Sequence, residues 1–136
     1  MKKKDFIIGF ALSLFLISCH DNVVVLPIKN DTQYTIAGVY LLDDSVSDEE
    51  IFNDKVYMGI NLKPGGLQWI SMPNFKFKDK SDTSNLYLFF FCVDSLTKSR
   101  QLKLKKGIIN RSLIKKIIIP SNTIKRQDTI TIKSSR

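Results

Sequence analysis

Residues Asn85 to Asp94 read NLYLFFFCVD, the most strongly apolar stretch after the N-terminal leader. A run of that length and composition reads as the central strand of a core. Every other segment has to be arranged around it. The candidates are short, rich in β-branched and aromatic residues, and separated by turn residues, which points to a β-rich sandwich.

The leader itself has three parts. Lys2, Lys3 and Lys4 form a positive n-region, and Phe6 to Ile17 (FIIGFALSLFLI) is an apolar run. That is the pattern of a secretory signal peptide. It is too short for a permanent membrane span, which takes about 20 apolar residues. Leu16-Ile17-Ser18-Cys19 then resembles the bacterial lipobox: an aliphatic residue, a tolerated residue, a small residue and the cysteine that receives lipid. The resemblance implies cleavage before Cys19 and a diacylglyceryl thioether on its sulfur. Two or three acyl chains anchor a protein stably where one does not.

Removing residues 1–18 leaves 118 residues, enough for one domain with a modest core. Residues 19–22 form a short tether and residues 23–136 a single β-rich domain. The chain has two cysteines. With Cys19 lipidated, Cys92 has no intramolecular partner, so a disulfide framework is excluded. Within Phe89-Phe90-Phe91-Cys92-Val93, Cys92 reads as a buried thiol.

The net charge is +8, spread unevenly. Residues 19–94 hold six lysines against eleven acids, whereas residues 95–136 hold twelve Lys and Arg against Asp128 alone. The basic third could favour anionic partners such as lipid headgroups or acidic glycans, or be a set of solvated faces, the reading that weighs more. It lacks what nucleic-acid binding needs: no aromatic residue follows Phe91, so bases have no stacking platform.

Along the chain, Val23 to Lys29 (VVVLPIK) reads as a first strand, with Pro27 marking an edge or bulge. Gln33 to Leu42 is a second, and its apolar run Val39 to Leu42 implies burial on both faces. Asp43 to Asp54 is an acidic loop in which Ser47 and Glu50 form a capping box for one helical turn. Val56 to Leu62 and Leu67 to Met72 flank Lys63-Pro64-Gly65-Gly66, a strong turn, as a hairpin-like unit. Phe75 to Lys78 alternates. Leu102 and Leu104 alternate with lysines as in a strand, while Ile108-Ile109, Leu113-Ile114 and Ile117-Ile118 recur at helical spacing, so residues 98–116 are open between helix and strand. Ile117 to Ile119 favours a strand ending at Pro120. Ser121 can cap a short turn, and Thr129 to Lys133 alternates as a last strand.

Leu88-Phe89-Phe90-Phe91, Val93-Asp94-Ser95, Ile114 to Ile117, Ser121 to Arg126 and Asp128 to Ile132 follow in an order similar to small Bacteroidales-type lipoproteins of unknown function, as does Lys29-Asn30-Asp31 followed by Tyr34 to Tyr40. The resemblance covers roughly half of the processed chain. This chain departs from it in having Thr129 where those proteins tend to carry Trp. It implies a location, the cell envelope and its outer membrane in a Gram-negative bacterium, on the periplasmic or the surface face, and a β fold, and it carries no catalytic residue. Asp44-Ser45-Val46, Asp94-Ser95-Leu96 and Asp128-Thr129-Ile130 also resemble the sequon for O-glycosylation of exported proteins in such bacteria. Ser45, Ser95 and Thr129 are therefore candidate modification sites, with capping at strand ends as the alternative.

Catalytic constellations are poorly served. The one histidine, His20, adjoins the anchor cysteine, which is no place for the imidazole of a nucleophile system or a zinc site. Two Ser-x-x-Lys matches, at Ser95 and Ser112, lack the companion motifs and size of the enzymes that use that nucleophile. The acids of 43–50 do not have EF-hand spacing, and no glycine-rich phosphate loop or other cofactor motif occurs. Trp69 alternates with Leu67, which favours a core position; exposed beside Tyr57 or Phe75 it would instead be a ligand or partner contact.

The expectation is a mainly β, small antiparallel β-sandwich-like domain with one or two short helices. It is lipid-anchored at Cys19 and non-enzymatic, without metal or cofactor, and has a binding or structural role toward an envelope protein or anionic glycan. A glycan-binding or glycan-processing accessory and an immunity-type lipoprotein are the alternatives.

Overall fold

A computed structural model describes residues 23–56, 58–73, 85–120, 123 and 129–134. It is mainly β, with two sheets and three helices among these residues. The strands are β1 (Val23–Asn30), β2 (Ile36–Leu41), β3 (Ile60–Leu62), β4 (Leu67–Pro73), β5 (Asn85–Cys92), β6 (Leu113–Pro120) and β7 (Ile130–Ile132). The helices are α1 (Asp48–Phe52), α2 (Val93–Gln101) and α3 (Ile108–Ser112).

Sheet order is β4-β1-β7 in the smaller sheet and β3-β2-β5-β6 in the larger. All pairings are antiparallel except β1 with β7. The apolar run Asn85–Cys92 is central in the larger sheet, paired to β2 along one side and to β6 along the other. Its side chains alternate between two cores. Leu86, Leu88 and Phe90 point toward the smaller sheet and pack with Leu26, Ile28, Ile70 and Ile132. Phe89 and Phe91 point the other way and pack with Val39 and with Ile51, Leu96 and Ile108 from the three helices. The larger sheet is thus covered on both faces, by a sheet on one side and a helical layer on the other. That is why β2 and β5 read as continuous apolar runs. Gly38 belongs to this packing: a Cβ there would lie 2.9 Å from Ile60 Cδ1 and 3.0 Å from Phe90 Cδ1. Cys92 is buried, as its flanks imply.

Two readings change. The Lys63–Gly66 turn forms as its residues dictate, with Gly65 at φ 75° and Gly66 N donating to Lys63 O at 2.9 Å. It is a corner and not a hairpin, however, because β3 pairs with β2 and β4 pairs with β1. Gln68 braces the corner, accepting from Asn61 N at 3.1 Å and donating to Gly59 O at 2.9 Å. Pro27 sits in the middle strand of its sheet, not on an edge. Asn30 N donates toward β4, to Gly66 O. By strand alternation the Pro27 nitrogen faces the opposite side, where β7 reaches only Ile28 to Asn30.

The ambiguous stretch divides cleanly. Residues 93–101 are helical, 102–107 form a loop, 108–112 a helical turn and 113–120 a strand. The Leu102–Lys105 alternation is therefore not a strand. Candidate strand Phe75 to Lys78 and the turn at Ser121 lie outside the described residues.

Candidate functional site: the outer face of the three-stranded sheet

Trp69 is 62 % exposed and Leu67 54 % exposed, so the core position expected for Trp69 is not the observed one. Both lie on β4, whose inward side chain Ile70 closes the core instead. Val25, 45 % exposed, extends the same outer face on β1. Register places Trp69 opposite Pro27, Leu67 opposite Lys29 and Val25 opposite Ser71. Thr131 of β7 follows Lys29 on the far side. The result is an exposed apolar strip of Val25, Trp69 and Leu67, with Pro27 buried on the same face and Lys29, Ser71 and Thr131 at the border.

Among its described residues the strip includes no carboxylate, histidine or cysteine. Its chemistry is burial: an exposed Trp gains most from a partner that covers it, and Trp is the side chain most enriched among dominant interface contacts. Tyr57 and Phe75, the aromatic neighbours considered for Trp69, lie outside the described residues. Its described cross-strand neighbour is Pro27.

The acidic segment 43–54 is committed elsewhere. The capping box forms: Ser47 Oγ accepts from Glu50 N at 3.3 Å, and Ser47 N donates to Glu50 Oε2 at 3.0 Å. The Ser47 hydroxyl, which donates to Glu50 Oε2 at 2.8 Å, and the Ser47 amide hold the Glu50 carboxyl below its ordinary value. Asp48 accepts from Gly107 N at 2.6 Å and from Ile109 N at 3.0 Å. The Ile109 and Gly107 amides, with the Arg111 charge, lower its carboxyl pKa against a smaller opposing effect of burial. Asp54 meets Arg100 at 2.6 Å, Glu49 meets Lys105 at 3.2 Å, and Asp44 meets Lys116 at 2.6 Å. Lys116 Nζ also lies 5.5 and 5.4 Å from the Tyr87 and Phe89 ring centroids. The charge asymmetry of the sequence is thus partly an internal match: the acidic segment lies against the basic one. A solvated loop is not its whole role.

Among the described residues no group of three His, Cys, Asp or Glu side chains is gathered for a metal ion. Ser45 is exposed in the loop after β2, its hydroxyl on the Asp43 carboxylate. Ser95 is half-buried in the first turns of α2, and Thr129 is exposed just before β7. The structure does not bring these three together with Trp69 on one strand or face. Cys19 and His20 lie outside the described residues. No described helix is long and apolar enough to cross a membrane. No family model, curated protein or solved structure matches this chain.

Val25 and Leu67 were not legible as site residues. Period two groups Leu67 with Trp69, but both faces of β4 carry large apolar side chains, so the pattern alone does not say which turns inward.

Proposed function

We propose that this chain is a lipid-anchored cell-envelope protein of non-enzymatic, binding type, whose partner is a protein that covers the outer face of the three-stranded sheet. The observation that carries the docking part is the exposure of Trp69 with Leu67 and Val25 on one sheet face. The aliphatic side chains beside the indole suit a protein surface. The anchoring part rests on Leu16 to Cys19 and the apolar run before it. The non-enzymatic reading rests on the sequence, whose single histidine adjoins the anchor cysteine. On this reading the envelope supplies the setting, lipid on Cys19 holds the chain there, and the sheet face supplies the contact.

Two measurements address the two parts. Metabolic labelling with a fatty-acid analogue should mark the wild type and leave Cys19→Ala unlabelled; label retained on the variant refutes anchoring through Cys19. Affinity capture from intact envelopes should recover a protein partner with the wild type and with Trp69→Phe, and lose it with Trp69→Ser. Equal recovery by all three refutes the docking face.

A further inference from the structure

On the opposite side of the larger sheet from Trp69, the helical layer holds a cavity of about 300 Å³ lined by Ser95, Lys98, Ser99, Leu102, Leu104 and Arg111. We propose that it binds an anionic amphiphile: a phosphate or carboxylate head carrying an aliphatic chain.

The cavity has a specific origin in the way α2 ends. Leu104 N donates to Ser99 O at 2.8 Å and Lys103 N to Arg100 O at 3.0 Å, with Lys103 in the left-handed region at φ 55°. This is the Schellman ending, in which the residue after the left-handed one usually packs against an apolar residue in the last helical turn. Here the outer residue is Leu104, but the last turn offers Lys98 and Ser99. The apolar closure is missing, and the space it would fill is open. Leu102 and Leu104 stay 57 % and 46 % exposed as a result.

The polar wall suits an anion. Lys98 is exposed, and among the described residues it makes no ion pair. Ser99 is buried; its Oγ accepts from Arg111 Nε at 3.4 Å, which leaves its own proton to donate. Arg111 donates to Leu104 O and Lys106 O, so it holds the loop in place and adds positive charge. Two of the carbonyls at the end of α2 are taken, those of Ser99 and Arg100 accepting from Leu104 and Lys103. A charged head beside Lys98 and Ser99 would leave its chain against Leu102 and Leu104.

Site-resolved lysine labelling tests this. The full-length protein is held in nanodiscs of zwitterionic lipid and acylated with an amine reagent, and modification of Lys98 is compared with that of exposed Lys55. Octyl phosphate should protect Lys98 selectively, at a concentration about tenfold below that at which inorganic phosphate does. Leu102→Ser with Leu104→Ser should remove that advantage. Nanodiscs containing phosphatidylglycerol distinguish the source: protection there without added amphiphile assigns the ligand to the bilayer, and protection by octyl phosphate alone assigns it to a free amphiphile. Either result supports the site. Absence of selective protection, or equal protection by octyl and inorganic phosphate, overturns it. Trp69→Ser leaves this readout unchanged, so the cavity and the docking face succeed or fail separately.

Discussion

Asp48 caps a helix whose N-cap residue, Gly107, lies 59 residues later: its carboxylate accepts from Gly107 N at 2.6 Å, and from Ile109 N at 3.0 Å. α3 is only five residues long and has no side-chain cap of its own from Gly107. The bond therefore does two jobs, satisfying amides that the helix leaves unpaired and fastening α1 to α3. Asp48→Ala should destabilise the fold by about 1–2 kcal/mol in urea unfolding.

The same contact predicts a pH dependence. The Asp48 carboxyl is held below its ordinary value of 3.8, and that of Glu50 below 4.5. Groups with depressed folded-state values stabilise the fold fully above their unfolded values and lose that contribution as pH falls through the lower folded ones. Stability should thus be flat with respect to these two groups at neutral pH and fall below about pH 4. Asp48→Asn should show a shallower fall than the wild type in thermal melts taken across that range.

Asn30 is fully buried at the crossing between sheets. Its Nδ2 donates to Tyr34 O at 2.7 Å and to Leu62 O at 3.0 Å, while its Oδ1 accepts from Thr32 N and Oγ1. Asn30→Ala leaves several buried groups unpaired and should cost about 2–3 kcal/mol. Asn30→Asp should be at least as damaging, because a carboxylate cannot donate to the two carbonyls. Denaturant midpoints of the two variants check the order.

Lys103 occupies a left-handed position that glycine fills without strain. Lys103→Gly should raise stability by about 0.5–1 kcal/mol, an increase readable as a higher melting temperature.

Most strands were legible in the sequence because their residues are β-branched or aromatic and their ends carry turn chemistry. β5 is the clearest case: Asn85 to Cys92 is apolar at every position after the first, and it lies between two layers. The capping box at Ser47 and Glu50 and the Lys63–Gly66 turn were legible for the same local reason. What escaped depends on long-range geometry. The turn does not reveal that β3 and β4 part into different sheets. α2 begins directly after Cys92 without a side-chain cap, so no local signal marks the switch from strand to helix. The pairing of acidic 43–54 with basic 98–116 is invisible until both pack on one face of the larger sheet. The outward position of Trp69 is not legible because alternation fixes which residues share a face and leaves open which face is buried.

The two faces of the sandwich should separate stability from binding. Phe90, fully buried at the centre, should cost about 3–5 kcal/mol on replacement by Ala. Trp69→Ser, on the exposed strip, should shift stability by no more than about 0.5 kcal/mol. Parallel unfolding curves check both, and the small Trp69 effect makes its loss of partner capture interpretable.

The most direct test of the docking face is a photo-cross-link from within it. A photo-reactive phenylalanine analogue replaces Leu67 in the full-length protein, and intact envelopes are irradiated. The account predicts a discrete cross-linked protein product that disappears when Trp69→Ser is added and that is not formed from the same analogue at exposed Lys55. No product from position 67, or equal product from both positions, would contradict it.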